Sequence, residues 1–208
     1  MVTILAPPKT TIQELHDLMK EIHEEACKVN VQIIGGHTEI TEAVNKIVVS
    51  CTAIGKSNVN SAISTSGAKV GDSIIVTKQL CLEGTSILVN DYEERCRSIL
   101  TDEEIEEARG YVESISVVKE GKIGGIAKAT SMHDITEGGV LGALWEVANA
   151  SNVGFKVNKS RMPITEITRK VCKEFNIDPL RLISSGSMLI TTDNPEKLLK
   201  SFDDNGIK

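Results

Sequence analysis

The sequence predicts an α+β fold in two parts, a small N-terminal sheet unit followed by a larger domain of helices and strands. The first 57 residues alternate between short apolar runs and one amphipathic helix pattern, which is typical of a small sheet covered by a helix. A stretch rich in Ser, Asn, Gly and Ala, from Asn58 to Gly71, then indicates a boundary. Beyond it, helix patterns separate short strand patterns. We therefore expect one unit over residues 1–57 and a second domain over residues 58–208.

The N-terminal unit begins with a predicted strand, Val2 to Leu5. Thr11 followed by Glu14 has the spacing of a capping box, so a helix is expected to begin there. Two further strands are predicted, Val31 to Ile34 and Ile47 to Ile54. The second is nearly continuous in apolar or small residues, as a strand buried on both faces would be. The apolar face of the helix is made by Ile12, Leu15, Leu18, Ile22, Ala26 and Val29.

The C-terminal domain is predicted from strand runs and helix boundary signals. Thr101 and Glu104 form a second capping box. Asn194 and Pro195 are the residue types that begin a helix, and Asn205-Gly206 is a pair that ends one. The remaining expected elements are strands over 73–77, 130–133, 155–157 and 187–192, a helix over 140–150, and a helix on the apolar stripe Ile164, Ile167, Val171 and Phe175.

Composition and charge exclude several classes of protein. Hydrophobic residues make up 40% and charged residues 25% of the 208 positions, as in ordinary globular proteins. The net charge is -6 without any basic block, so we expect no nucleic-acid binding. No window reaches the roughly 20 apolar residues of a membrane span. The 5 cysteines include no CxxC pair, which favours reduced, mostly buried thiols over disulfides or zinc, and a cytoplasmic protein.

The first candidate for binding chemistry is Gly35-Gly36-His37-Thr38, which follows a predicted strand. Paired glycines let the backbone approach a ligand, and their N–H groups can surround a phosphate. Thr38 adds a hydroxyl, and His37 adds a neutral imidazole or a metal ligand. A plain turn at the end of a strand explains the same residues, so the motif alone decides nothing.

The second candidate runs from His133 to Gly139, between a predicted strand and a predicted helix. A carboxylate at a strand end, Asp134, followed by glycines that open a helix, suits a Mg²⁺–phosphate site. The other members of this motif are Thr136, Gly138 and Gly139. The competing explanation makes Asp134 or Thr136 a helix cap only.

Other patterns are assigned structural roles. Ser184 to Ser187 is expected to form a turn ahead of a strand. Gly55-Lys56-Ser57 ends like a phosphate-binding P-loop, but the first glycine of that motif would fall inside a predicted strand, so we reject it. His16 and His23 lie seven residues apart on a helix, where a solvated face explains them better than a metal site. Trp145 is expected to pack in the core.

Three segments resemble one known superfamily. The segment IIGGHTEIT, residues 33–41, is similar to a loop of AIR synthetase, thiamine-monophosphate kinase, selenophosphate synthetase and the HypE-type hydrogenase-maturation proteins. The segment MHDITEGGVLGALWEVANASNVGFKV, residues 132–157, resembles one that HypE-type and AIR-synthetase-related proteins share. FNIDPLRLISSGSMLIT, residues 175–191, resembles the start of a later strand in the family. The three occur in the family's order, and the similarity covers essentially the whole chain.

The resemblance implies a two-domain AIR-synthetase-like fold, with residues 1–57 as the remnant of an ATP-binding and dimerisation domain and residues 58–208 as a C-terminal α/β sandwich domain. It also implies a homodimer that uses ATP and Mg²⁺ to activate an oxygen or amide of a small substrate. The residues that it implies for nucleotide binding are Gly35, Gly36, His37, Thr38, Thr136, Gly138 and Gly139, and the residue that it implies for Mg²⁺ is Asp134.

Three departures from the family's pattern matter. His37 stands where kinase and maturation members carry Asp. The family's N-terminal Asp- and Gly-rich nucleotide segment has no counterpart ahead of Val2, and the C-terminal cysteine tail of the HypE type has none after Lys208. We therefore expect a piece of a longer enzyme that does not turn over ATP by itself. The alternative is a non-catalytic dimeric scaffold or interaction domain that retains the fold.

Overall fold

The structure is a computed structural model that describes residues 1–57 and 62–207. The chain divides into two units, Met1–Asn58 and Val59–Lys208, and each is described by itself. Both units combine a three-stranded sheet with helix, so the predicted α+β class is confirmed. In the part of the chain that the structure describes, no helix has the length and apolar character needed to cross a membrane.

The first unit is built on its N-terminal strand. In chain order its elements are β1 (Val2–Ala6), α1 (Ile12–Lys28), β2 (Gly36–Ile40) and β3 (Val48–Cys51). β1 lies in the middle of the sheet, parallel to β2 and antiparallel to β3. Its alternate residues Val2, Ile4 and Ala6 are buried, as expected for a strand with one covered face.

Helix α1 begins where the sequence predicts. The Glu14 N–H donates a hydrogen bond of 3.2 Å to Thr11 Oγ1, and the Thr11 N–H donates one of 2.7 Å to the Glu14 carboxylate. This confirms the capping box, which satisfies N–H groups at the helix start. The predicted apolar face is half-buried from Leu15 onward, whereas Ile12 is 88% exposed.

Two strand predictions in this unit are wrong. Residues Val31–Ile34 form no strand, because the contact with β1 begins later, where Gly36 pairs with Val2. A Cβ on Gly36 would lie 2.0 Å from the carbonyl oxygen of Val2, so glycine is what permits the two backbones to meet there. The third strand is shorter than predicted, and all of Val48–Cys51 is exposed rather than buried on both faces, since β3 is an edge strand of a small sheet with one helix.

The second unit holds the other sheet and seven α-helices among the described residues. Its elements are β4 (Ser73–Val76), α2 (Leu82–Asp91), α3 (Glu93–Cys96), α4 (Asp102–Gly110), α5 (Val118–Ala127), β5 (Ser131–Ile135), α6 (Gly139–Ser151), α7 (Glu166–Glu174), β6 (Ser187–Thr192) and α8 (Pro195–Asp203). β6 lies between β4 and β5 and is antiparallel to both. Every residue of β6 is buried, so this strand is the centre of the core.

Helices cover both faces of this sheet. Successive residues of a strand point to opposite faces. Leu189 of β6 belongs to a buried cluster with Val147 of α6, whereas the next residue, Ile190, belongs to a cluster with Ile123 of α5 and Leu198 of α8. Helices α2, α4 and α7 pack together in a third cluster. A sheet between two helical layers confirms the predicted α/β sandwich.

Most predicted elements of the second unit lie within two residues of the observed ones, and the capping box of Thr101 and Glu104 is confirmed. The predicted strand over Phe155–Val157 is wrong, because the structure describes these residues without regular structure. Helices α2, α3 and α5 were not predicted. Helix α2 follows Cys81, which occupies the N-cap position with a left-handed φ of 65° and no side-chain cap, so the usual start signal is absent from it.

The expected packing of Trp145 in the core is also wrong. Leu144 and Val147 place one side of α6 in the core, and Trp145 lies about 100° further round the helix than Leu144. Trp145 is therefore 66% exposed. It lines a shallow cavity of about 360 Å³ together with Asn149 and Asn152.

Candidate functional site

The glycine–histidine motif of the first unit lies in a strand rather than in a loop after one. Gly36, His37 and Thr38 are the first three residues of β2, and all three are exposed. His37 Nε2 is 3.5 Å from Glu39 Oε2, and both side chains are more than half exposed. Because residues two apart share a face of a strand, this pair forms within β2 and leaves the imidazole accessible to solvent.

The two glycines of this motif differ in what the fold requires of them. The close approach of Gly36 to Val2 leaves no room for a Cβ. Gly35 has no heavy atom within 4 Å of the position that a Cβ would occupy, and its φ lies outside the left-handed region. Its carbonyl accepts a 3.1 Å hydrogen bond from the Val2 N–H, which any residue type could do. The fold therefore explains glycine at position 36 but not at position 35.

Asp134 is an exposed carboxylate in β5 of the second unit. The strand continues to Ile135, two residues beyond its predicted end, so Asp134 lies inside the strand opposite Met188. No hydrogen bond or ion pair of its carboxylate is found in the described part of the chain. Within those residues there is also no group of three or more His, Cys, Asp or Glu side chains that could hold a metal. Asp134 therefore offers a single carboxylate.

The turn between β5 and α6 depends on two left-handed glycines. The φ of Gly138 is 79° and that of Gly139 is 62°. Gly138 is the N-cap of α6 and no side chain caps the helix, so the explanation of Asp134 or Thr136 as a cap is excluded. A Cβ on Gly139 would lie 2.7 Å from the carbonyl oxygens of Leu180 and Leu182, so this glycine is required for packing.

Several N–H groups near this turn already have partners. The Gly139 N–H donates to the carbonyl of Thr136 at 3.1 Å, and the Leu141 N–H donates to the carbonyl of Leu180 at 3.1 Å. The Thr136 carbonyl also accepts a 3.2 Å hydrogen bond from the Ser184 N–H. These contacts reduce the number of helix N-terminal donors that an anion could use.

The predicted serine turn, Ser184 to Ser187, connects this region to the start of α2. Besides its bond to Thr136, Ser184 accepts a 2.8 Å hydrogen bond on its hydroxyl from the Cys81 N–H. Gly186 has a φ of 109°, and a Cβ there would lie 3.1 Å from the Ser114 carbonyl oxygen. The segment is a turn, as predicted. It also contacts three other parts of the unit, at Thr136, Cys81 and Ser114.

His133, the first residue of the second motif, makes contacts that the sequence did not predict. Its Nδ1 lies 3.1 Å from Thr65 Oγ1, and its Nε2 lies 2.6 Å from Glu146 Oε2. The imidazole is 21% exposed, and contacts on both nitrogens hold the ring in one orientation. The partners come from distant parts of the chain, so no local spacing could have indicated them.

The sequence also gives no sign of the ion pair between Lys78 and Glu120, because the two residues are distant in the chain. Lys78 Nζ lies 2.9 Å from Glu120 Oε1 and donates hydrogen bonds of 2.8 Å to the carbonyls of Ser114 and Ser116. Glu120 is 2% exposed, and its Oε2 has no hydrogen-bond partner within the described ranges. Lys78 has a left-handed φ of 55°, a conformation that costs roughly 1–2 kcal/mol for a residue with a Cβ. The contacts of its ammonium group offset that cost.

All five cysteines are free, as predicted. Cys81, Cys96 and Cys172 are buried, whereas Cys27 and Cys51 are exposed. Burial raises the pKa of Cys81 to about 12 and the pKa of Cys172 to about 11. The thiolate is the reactive form of cysteine, so neither buried thiol is suited to act as a nucleophile.

Comparison with known proteins gives the family. Residues 69–208 match the C-terminal domain model of AIR synthase related proteins, and residues 1–57 match the N-terminal domain model. The first of these matches covers more than half of the chain. The chain belongs to the AIR synthase related family. This confirms the superfamily that the three sequence segments predicted.

Three relatives show the range of this family. A provisional hydrogenase expression/formation protein of Methanocaldococcus jannaschii is 26% identical over 96% of this chain and 58% of its own length. Thiamine-monophosphate kinase of Bacillus subtilis is 29% identical over 79% of this chain and 49% of its own. The structure of a hydrogenase maturation protein HypE in complex with ATP has a TM-score of 0.74 at 20% identity, over 97% of this chain and 58% of that chain. The chain thus spans about half the length of the curated relatives it matches.

Proposed function

We propose that this chain is part of an ATP- and Mg²⁺-dependent enzyme that activates an oxygen or amide of a small substrate by phosphoryl transfer. Family membership supports the proposal, as does a related HypE whose structure holds ATP. In this proposal residues 1–57 belong to an ATP-binding and dimerisation domain, and residues 58–208 belong to the C-terminal domain. The proposal concerns the whole protein, because the chain spans only part of its relatives.

The observation that carries the proposal is the unengaged carboxylate of Asp134. Its neighbour His133 is held by Thr65 and Glu146. Asp134 is exposed, and among the described residues its carboxylate makes no hydrogen bond or ion pair that would stabilise the fold. Mg²⁺ is commonly held by one or two carboxylates, with phosphate oxygens and waters as the other ligands. A single exposed carboxylate fits that donor set when a nucleotide supplies the phosphates. Bound Mg²⁺ would neutralise phosphate charge, and Asp134 would fix where the cation lies.

The proposal assigns phosphate contact in the first unit to Gly35, with Gly36, His37 and Thr38 beside it. The support is that nothing in the fold requires glycine at position 35. Absence of a Cβ lets a ligand approach the backbone closely, which is a second reason for glycine at such a position. Gly35→Ala should therefore leave the fold intact and weaken nucleotide binding, whereas Gly36→Ala should disturb the pairing of β1 with β2.

In the second unit we propose nucleotide contacts only for groups of the turn between β5 and α6 that are not already occupied by hydrogen bonding or packing. The N–H of Gly139 is already bonded to the Thr136 carbonyl, and its Cα packs against the 180–182 backbone. The Thr136 side chain and the Gly138 backbone are the parts of the motif with which a phosphate would interact. The role of Gly139 is then to hold this turn in place.

Binding of Mg²⁺–ATP to the full-length protein tests the proposal. Asp134→Asn should weaken Mg²⁺-dependent ATP binding by ~1–3 kcal/mol, because a charged ligand of the cation is lost. Asp193→Asn is a matched control, since Asp193 is also exposed and directly follows β6 of the same sheet. Unchanged affinity in Asp134→Asn, with circular dichroism showing an intact fold, would remove the basis of the proposal.

A specific observation also favours self-association, the property that the catalytic and the scaffold alternatives share. Both outer strands of the first sheet, β2 and β3, are edges within that unit. Exposed apolar residues and open strand edges are typical of interfaces. Among its described residues, the exposed large apolar side chains of this unit are Met1, Ile12, Val31, Ile34, Ile40, Ile47, Val48, Val49 and Ile54.

We therefore propose a homodimer formed through the first unit. Light scattering at micromolar concentration should show a dimer, and Val49→Glu should shift it towards monomer. A dimer that binds no nucleotide in the full-length protein would favour the scaffold over the enzyme. A wild-type protein that is purely monomeric would contradict this part of the proposal.

A further inference from the structure

Helix α1 carries a histidine and a cysteine one turn apart with their side chains in contact. Cys27 Sγ lies 3.6 Å from His23 Nε2 and 4.0 Å from His23 Nδ1. Residues four apart on a helix lie on the same side, so the backbone itself holds the two groups together. Both residues are exposed and lie outside the half-buried face of α1. An imidazole nitrogen and a thiol sulfur are therefore presented together to solvent.

The separation of the two donor atoms suits chelation of one cation. Zn²⁺ binds histidine nitrogen at about 2.0–2.1 Å and cysteine sulfur at about 2.3 Å, in tetrahedral geometry. Those lengths and that angle place the nitrogen and sulfur roughly 3.5 Å apart. The observed distance between Cys27 Sγ and His23 Nε2 is 3.6 Å. The sulfur is also 4.0 Å from Nδ1, so it lies beside the ring rather than along either nitrogen lone pair. Rotation of the exposed imidazole about its side-chain bonds is therefore needed before both groups can bind one cation.

We propose that His23 and Cys27 form a bidentate site for a thiophilic divalent cation such as Zn²⁺. A thiolate and an imidazole prefer soft or borderline cations, whereas Mg²⁺ prefers oxygen, so this site would not compete for the Mg²⁺ that accompanies ATP. No third His, Cys, Asp or Glu completes the site within residues 1–57 and 62–207. The remaining coordination positions are filled by water, and the bound cation exchanges readily. The inference does not depend on the proposed enzymatic function.

From the sequence, a solvated face explains His16 and His23 better than a metal site, and the two residues are two helical turns apart. His23 instead pairs with Cys27, and His16 lies beside Asp17 at 3.4 Å. Protons compete for the same imidazole and thiol groups, so cation binding releases protons and weakens as the pH falls.

Cadmium titration of the reduced 208-residue chain tests the site, because a cadmium–thiolate bond gives an absorption band in the near ultraviolet. One equivalent should saturate the band. Cys27→Ser should abolish it, and His23→Ala should weaken binding roughly tenfold or more, since the chelate is reduced to one ligand. Both residues are exposed, so neither substitution should disturb the fold, and circular dichroism checks this.

Cys51 provides the matched control. It is also exposed, in β3 of the same unit, and no hydrogen bond to a histidine is found for it among the residues described. Cys51→Ser should keep the band and the affinity of the wild type. The inference is overturned if His23→Ala binds cadmium as tightly as the wild type. It is also overturned if Cys51→Ser loses the band, or if two chains share one cation at saturation.

Discussion

Replacing Gly139 by alanine separates what the second glycine pair does for the fold from what it does for a ligand. The φ of Gly139 is 62°, and left-handed backbone costs a residue with a Cβ roughly 1–2 kcal/mol. The new methyl group would also lie 2.7 Å from the carbonyl oxygens of Leu180 and Leu182, and relieving such overlap costs about 1–3 kcal/mol. Gly139→Ala should therefore lower the free energy of unfolding by ~2–5 kcal/mol.

The neighbouring glycine is the control. Gly138 has a φ of 79°, but a Cβ there would meet only the Gly142 Cα at 3.5 Å, an ordinary contact. Gly138→Ala should therefore lose about 1–2 kcal/mol from the backbone conformation alone. Urea unfolding followed by far-ultraviolet circular dichroism measures both losses. Equal destabilisation of the two variants, or a smaller effect at Gly139, would refute the packing argument.

Three further predictions follow from contacts in the structure. Gly36→Ala should destabilise the first unit more than Gly35→Ala in thermal unfolding, because only a Cβ at position 36 meets the β1 backbone. Lys78→Met should cost ~3–5 kcal/mol in urea unfolding by leaving the buried Glu120 carboxylate unpaired, and replacing both residues by Met should recover most of that loss. Burial raises the pKa of Cys81 from 9.0 to about 12, so its neutral thiol favours the folded state. That contribution is full below pH 9 and is lost as the pH rises towards 12, so the free energy of unfolding should fall less steeply over this range in Cys81→Ala.

Local signals allowed the sequence to predict much of the fold. The capping boxes of Thr11 and Thr101 depend on residues three positions apart, and both are present. The strand at Ser187–Thr192 is a buried run in the middle of its sheet, and its bounds match the prediction. In each case the deciding interaction is local or the burial is complete on both faces. Such features are readable without knowledge of the partner segment.

Long-range contacts explain what the sequence could not show. β2 begins at Gly36 because the parallel partner Val2 meets it there, and no local pattern marks that position. Helix α5 contains Gly121, Gly124 and Gly125, which are weak helix formers, and it is stabilised by packing instead.

The candidate site could likewise be predicted only where its signals are local in the sequence. Asp134 and the left-handed glycines after it were identified from their spacing. The contacts of His133 with Thr65 and Glu146 join distant parts of the chain and could not be predicted. The same holds for the pair of Lys78 with Glu120.

The linkage between Mg²⁺ and ATP in the full-length protein tests the central claim most directly. ATP is titrated calorimetrically into the wild type and into Asp134→Asn, once with Mg²⁺ present and once with EDTA. The difference between the two conditions gives the effect of the cation on ATP affinity in each protein. We predict that Mg²⁺ strengthens ATP binding in the wild type, and that Asp134→Asn reduces this effect by ~1–3 kcal/mol while binding in EDTA changes little. An equal Mg²⁺ effect in the two proteins, or no ATP binding by the wild type at millimolar concentration, would contradict the account.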